Sequence, residues 1–166
     1  MKVLMASSEI GFGGGERIFL DLVRAAQRMV APPCISVTKN SQLERILEKE
    51  PEITFLGQAT GEKFNFLIAN DFNSLLRNRS LAKSAVFICH GTWQMNWKKA
   101  IYCLVTKTKV FYVSSHVANS IGLLAKLFLG NYVLEYGPSE DFWNTFSISR
   151  SEARKRLGVP SDAFLL

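Results

Sequence analysis

Cysteine, histidine and long apolar runs are all scarce in these 166 residues. No apolar run approaches the ~18 residues that a bilayer-spanning helix needs. The N-terminus, Met1-Lys2-Val3-Leu4-Met5, leads straight into a strand and a glycine-rich turn without the layout of a cleavable signal. A soluble, cytoplasmic protein is expected on both counts. Cys34, Cys89 and Cys103 are odd in number, have no Cys-x-x-Cys spacing and lack partners at zinc-finger distances. That excludes a disulfide scaffold and a zinc module, and no metal is expected. Histidine occurs only at His90 and His116. On a strand the neighbours Cys89 and His90 would point to opposite faces, which is poor geometry for a thiolate–imidazole pair. Buried thiols are the expectation.

Acid is missing from one long stretch. Between Phe72 and Leu134 there is no Asp or Glu, while Arg77, Arg79, Lys83, Lys98, Lys99, Lys107, Lys109 and Lys126 all fall there. The net charge of +6 is therefore concentrated in that stretch, which also holds Trp93 and Trp97. An anionic membrane surface, a polyphosphate-bearing substrate or nucleic acid would each answer such a segment. A solvated face whose acids lie elsewhere in the sequence answers it too.

What remains is an ordinary globular composition, 48% apolar and 20% charged. At this length one domain with a short tail is expected, burying enough surface to need no staple. Short apolar runs alternate with helical periodicity. Strands are predicted at Lys2–Ser8, Cys34–Thr38, Ile53–Leu56, Phe64–Ala69, Ala85–Cys89, Lys109–Val113 and Tyr132–Leu134. Between them Ile18, Leu22, Ala25, Ala26 and Met29 mark a helix running to Val30 and ended by Pro32 and Pro33. A second helix carries Leu43, Ile46 and Leu47, and a third spans Phe72–Arg79. Trp93, Trp97, Ile101, Leu104 and Val105 make one stripe of a fourth. A fifth, capped by Ser114 or Ser115, carries Val117, Ile121, Leu124 and Phe128. Gln58–Lys63 is predicted as a loop, and Ser151–Leu157 as a short helix stopped by Gly158. The alternation predicts an α/β fold, a doubly wound parallel sheet of Rossmann type with right-handed crossovers. Ligands of such sheets bind outside the carboxyl ends of the strands. The apolar Ala163-Phe164-Leu165-Leu166 is expected to begin another buried strand or to dock on a partner.

Three segments fall at those strand ends: the glycine turn, His90-Gly91-Thr92 and Ser114-Ser115. In the turn Gly11-Phe12-Gly13-Gly14-Gly15-Glu16-Arg17, a helix N-terminus would offer unpaired N–H groups and a positive dipole end to phosphate. The turn is no P-loop, which needs Gly-Lys-Ser/Thr. The dinucleotide pattern also fails, because Glu16 stands at its last glycine and Thr38, Lys39 and Asn40 stand where an acid should meet the ribose. Lys39 would suit a 2′-phosphate, so an NADP-dependent Rossmann oxidoreductase remains one alternative.

Gly13-Gly14-Gly15-Glu16-Arg17 resembles the Gly-Gly-x-Glu-Arg turn of retaining family 4-like (group 1) glycosyltransferases. Further segments follow in the family's order. His90-Gly91-Thr92-Trp93 is similar to its strand-end histidine, and Val113-Ser114-Ser115-His116-Val117-Ala118 to its helix start. Tyr136-Gly137-Pro138, with Asp141-Phe142, resembles its Asn-Gly-Val-Asp segment. Arg154-Lys155-Arg156-Leu157-Gly158-Val159-Pro160 is similar to the helix leading into the second domain. The resemblance implies one half of a GT-B architecture. Residues 1–148 would be the N-terminal, acceptor-side domain, and 149–166 would lead into a C-terminal nucleotide-sugar domain that is missing or supplied by a partner subunit. It implies a nucleotide-sugar donor, a lipid-linked or glycan acceptor, and no cofactor.

By the same resemblance Gly13, Gly14 and Gly15 would approach the donor phosphates, His90 would touch the transferred sugar or polarise the reacting groups, and Glu16, Ser114 and Ser115 would lie on the acceptor side. Two departures bear on the acceptor site: Asn70-Asp71 stands where relatives often have a histidine, and Gly137-Pro138 replaces Gly-Val-Asp. His90 has a structural alternative as well, bonding a backbone carbonyl. Trp93, Trp97, Lys98 and Lys99, with Lys126 further on, suit a basic helix at an anionic membrane surface at the inner face. Core packing would explain the tryptophan stripe equally well. Leu123, Leu127 and Leu129 are expected to be exposed beside Lys126. Nucleic acid is not the expected partner. A stand-alone docking or acceptor module that pairs with a catalytic subunit is the other alternative. A fluorescence titration should find no NADPH binding at millimolar cofactor; saturable binding would restore the oxidoreductase.

Overall fold

The computed structural model describes residues 1–29, 32–58, 63–120, 126, 129–130, 132–134, 150–156, 158 and 160. The chain forms two units, Met1–Tyr136 and Gly137–Leu166. In the first, strands and helices alternate: β1 (Val3–Ser7), α1 (Gly14–Met29), β2 (Cys34–Val37), α2 (Gln42–Leu47), β3 (Thr54–Phe55), β4 (Phe64–Ala69), α3 (Phe72–Asn78), β5 (Ala82–Cys89), α4 (Trp97–Val105), β6 (Lys109–Tyr112), α5 (Ser115–Ser120) and β7 (Tyr132–Val133). Short 3-10 turns sit at Leu56–Gln58, Arg79–Leu81 and Thr92–Gln94. All neighbouring strands pair in parallel, in the order β3-β2-β1-β4-β5-β6-β7. This is the doubly wound parallel sheet that the alternation predicts.

The strands are apolar because a parallel sheet is covered on both faces. Every residue of β1 is buried. Met5 and Ile35 pack with Phe19 and Val23 of α1 and Leu43 and Leu47 of α2. Leu4, Leu67, Phe87 and Val110 belong to a second cluster with Leu75 of α3, Cys103 of α4 and Val117 of α5. Burying one such side chain is worth roughly 1.5–3 kcal/mol. Successive strands reverse their order at β1 and β4, so the crossovers leave this pair in opposite directions and a crevice opens at its carboxyl end.

Asp71 closes the base of that crevice. Its carboxylate accepts from the Ser8 N–H at 2.6 Å and the Ser8 hydroxyl at 2.5 Å, holding the end of β1. It also caps α3 by accepting from the Ser74 N–H at 2.9 Å, in a capping box. One buried side chain thus fixes where β1, β4 and α3 meet.

Several local expectations are corrected. β5 starts at Ala82 rather than Ala85, because Phe64 of β4 pairs with Ala82 and extends the ladder. The third helix ends at Asn78 and tightens into a 3-10 turn. Trp93 is not on the fourth helix: it lies in the 3-10 turn, and Asn96 starts α4 by accepting from the Lys99 N–H at 3.0 Å. Leu129 is buried, with 7% of its surface exposed, packed in the second cluster. Leu123 and Leu127 lie outside the described residues, as do Ile121, Leu124, Phe128, Tyr136–Phe142 and the apolar end 163–166. Ser114 caps α5 by accepting from the Val117 N–H at 3.2 Å. All three cysteines are buried thiols.

The second unit contains α6 (Arg150–Arg156), stopped at Gly158 in the left-handed region, φ 64°. There the Arg154 guanidinium donates to the Pro160 carbonyl at 2.8 Å. Among the described residues no helix is long and apolar enough to cross a membrane.

Replacing Asp71 with alanine removes a cap and two bonds to Ser8 at once. Urea unfolding should show a loss of about 3 kcal/mol. A change within a few tenths would mean that the clamp contributes nothing.

Candidate functional site

The crevice holds a cavity of about 400 Å³ lined by Glu9, Gly14, Gly15, Glu16, Asn70, His90 and Gln94. The loop after β1, the start of α1 and the ends of β4 and β5 supply these residues. Gly13, Gly14 and Glu16 behave as the first turn of a helix should. The Glu16 carboxylate reaches back to accept from the Gly13 N–H at 2.8 Å, which is half of a capping box. Glu16 is 8% exposed, so this is a buried anion set at the positive end of α1. Its bond occupies the Gly13 N–H. That N–H is therefore not open to a ligand at this turn. A β-carbon at Gly14 would meet nothing within 4 Å, whereas one at Gly15 would touch the His90 ring at 3.5 Å. That is ordinary van der Waals contact, so the imidazole packs close against the first turn of α1.

His90 is held from two sides. Its backbone N–H donates to the Gln94 side-chain oxygen at 2.7 Å. Its Nε2 lies 2.7 Å from Asn70 Oδ1. The Asn70 amide nitrogen faces Ser7 Oγ at 3.4 Å and Glu16 Oε1 at 3.5 Å, so its oxygen is the end turned to the histidine. An amide oxygen only accepts, which assigns the proton to Nε2 and leaves Nδ1 as an acceptor. Burial lowers the His90 pKa from 6.5, and the nearby Glu16 and Asp71 carboxylates oppose that only in part. The ring is a neutral acceptor near pH 7. Across the cavity, partial desolvation and then Asp71 and Glu16 raise the Glu9 pKa from 4.5. Such a wall of carboxylates, amides and one imidazole is built to bond hydroxyl groups.

The predicted residues divide into those the fold brings together and those it does not. Gly13–Glu16 and His90 converge on one cavity. Ser114 and Ser115 follow β6 at the same end of the sheet, but neither lines the cavity; Ser114 is the α5 cap and Ser115 is exposed. Cys89 turns away from His90, into the core, where burial pushes its thiol up to about 11. Lys99 folds inward, donating to the Gln94 carbonyl at 2.9 Å and standing 5.2 Å over the Phe72 ring. Lys126 donates to Asn119 Oδ1 at 2.9 Å. Trp97 is exposed, with Lys98 5.5 Å from its ring, and the Trp93 side chain lies outside the described residues. Sequence inspection assigned no role to Asn70, Gln94 or Glu9. Asn70 carried two signals, its position directly after a predicted strand and its place where a histidine was expected.

No family model and no curated protein matches the chain. Two solved structures do, both of Anabaena Alr3699/HepE, one in complex with UDP and glucose and one with UDP. The TM-scores are 0.66 and 0.68 at 16% identity, over 95% of this chain and 50% of that one. The chain thus spans about half the length of the structures it matches. The likeness bears out the fold class, a doubly wound parallel sheet matching one half of a GT-B structure.

The depressed His90 pKa predicts how stability varies with pH. Below 6.5 the unfolded chain binds a proton that the native histidine resists, so stability falls as pH drops through this window. Glu9, whose pKa is raised, acts with the opposite sign and is common to the wild type and the variant, so the comparison isolates the histidine. Urea midpoints should rise from about pH 5.5 to 7 in the wild type and flatten in His90→Gln. An unchanged slope in the variant would show that the ring is not desolvated.

Proposed function

We propose that this chain is the acceptor-side half of a retaining glycosyltransferase, transferring a sugar from a nucleotide-sugar donor to a lipid-linked or glycan acceptor. The observation that carries it is the neutral His90, held by Asn70 in a carboxylate-lined cavity at the switch point of the sheet. The fold likeness to a protein whose structure holds UDP and glucose supports the same reading. In this proposal residues 1–148 form the acceptor-side domain, and 149–166 lead toward a nucleotide-sugar domain or partner subunit.

Electrostatics support one arrangement of the donor. A diphosphate inside the cavity would face Glu9 and Glu16, and like charges at short range in a partly desolvated site repel strongly. A sugar has no such conflict. Its hydroxyls donate to the carboxylates and to His90 Nδ1, and accept from the Gln94 amide. The diphosphate then stays at the rim, where the Gly14 and Gly15 N–H groups lie at the positive end of α1. Neutralising its charge falls to cations of the other half, which is why this chain alone should transfer little. In this reading Ser114 and Ser115, which follow β6 at the same end of the sheet, lie on the acceptor side.

His90→Ala, in the protein as its host makes it, should lower sugar transfer about a hundredfold while the urea midpoint barely moves. Early unfolding of the variant would make the histidine structural. Saturation-transfer NMR with UDP-glucose on the 166-residue chain should saturate the glucose protons more than the uridine ones. The reverse pattern would sink the assignment of the cavity to the sugar.

A further inference from the structure

We propose that the outer face of α4, with the basic cavity at its C-terminal end, docks on an anionic lipid bilayer. Trp97, Ile101, Leu104 and Val105 fall at the spacing of one helix face. That face is bare: Trp97 is 69% and Val105 75% exposed, and Ile101 and Leu104 are exposed with them. Beside Val105 lies a cavity of about 570 Å³ between α3, the start of β5 and the end of α4. Exposed Leu76 lines it on one side, and Arg79, Lys83 and Lys107 give it three cations.

Arg79 is fixed there. Its two terminal nitrogens donate to the Ala82 and Thr106 carbonyls at 2.7 Å each, and its Nε is buried with no partner. No carboxylate lies among those contacts. Lys98 adds a further cation over the Trp97 ring at 5.5 Å. The sequence from Phe72 to Leu134, which builds this whole face, contains no Asp or Glu.

The combination selects the occupant. A nucleic acid would use the cations and could stack a base on Trp97, but would gain nothing from exposed Ile101, Leu104 and Val105. A second copy of the chain would set this positive face against itself, since a two-fold contact pairs like surfaces. A bilayer satisfies both features. Its headgroup phosphates meet Arg79, Lys83 and Lys107, the aliphatic residues enter the acyl boundary, and Trp97 sits at headgroup depth. Inward-facing Lys99 and the Lys126–Asn119 pair take no part. The cavity lies at the opposite end of the strands from the His90 crevice, so docking leaves the crevice open. This inference does not rest on the sugar-transfer proposal, because vesicle binding is read without any substrate.

The test is co-sedimentation with vesicles of phosphatidylcholine alone and of phosphatidylcholine with phosphatidylglycerol. The wild type should pellet only with the anionic vesicles. Lys83→Gln with Lys107→Gln should weaken binding about thirtyfold at low salt. Trp97→Ser with Val105→Ser should abolish it, with the circular-dichroism melting curve unchanged. If the serine variant is unstable, the glutamine variant decides alone. Equal pelleting of all variants would overturn the proposal. So would random duplex DNA bound more tightly than the vesicles, or self-association that the serine pair removes.

Discussion

The clamp made by Asp71 is the interaction on which the rest of the first unit depends. A parallel sheet sends all its strand ends to one edge, and only at β1 and β4 do the crossovers diverge and leave a crevice. Ladder hydrogen bonds and the packing of Leu4 and Ala6 with Leu67 and Leu75 join the two halves of the sheet, but they leave the ends of β1 and β4 untied at that gap. Asp71 supplies the tie, joining Ser8 after β1 to the first turn of α3 after β4. Asn70, directly before it, is thereby aimed at His90, and the loop leading to the glycine turn is set opposite. The geometry of the cavity follows from one buried carboxylate with all its strong bonds made to fixed groups.

The crevice and the α4 face divide the electrostatics of the molecule. At the crevice the positive end of α1 is met by the chain's own Glu16, so the glycine turn is not the open anion site that its composition suggests. Glu9 and Asp71 add to the negative side, and a neutral imidazole between them favours hydroxyl groups over a second anion. The cations gather elsewhere, along the acid-free segment. They include the end of α3, the start of β5 and the end of α4, at the opposite end of the strands from the crevice. A polar cleft and a basic cavity on one small sheet need not interfere, because they open to solvent at opposite ends of the strands, where mobile ions screen charge.

Much of this was legible in the residues. Alternating apolar runs and helical stripes located most elements within a few residues, because burial on both faces of a parallel sheet demands continuous apolar strands. The glycine turn and His90 were recognisable for the same reason, since each follows a strand directly. The Asn70–His90 pair was not, because the partners are separated by a whole α3 and β5 and meet only when β5 pairs with β4. The stripe from Trp97 to Val105 was ambiguous for a different reason. Helical periodicity records that apolar residues share a face and says nothing of whether another element covers it. Leu129 erred in the opposite direction, exposed by its neighbours in sequence and buried by the packing of the second cluster.

The sequence by itself therefore determined the α/β architecture, the position of the glycine turn and the uneven distribution of charge. All three rest on local properties: periodicity, backbone freedom and residue type. Tertiary structure alone decided which nitrogen of His90 carries its proton, that Glu16 caps its own helix and that α4 is left bare. Those outcomes depend on distances between residues far apart in the chain, and hydrogen bonding, desolvation and burial are functions of such distances rather than of order along the sequence.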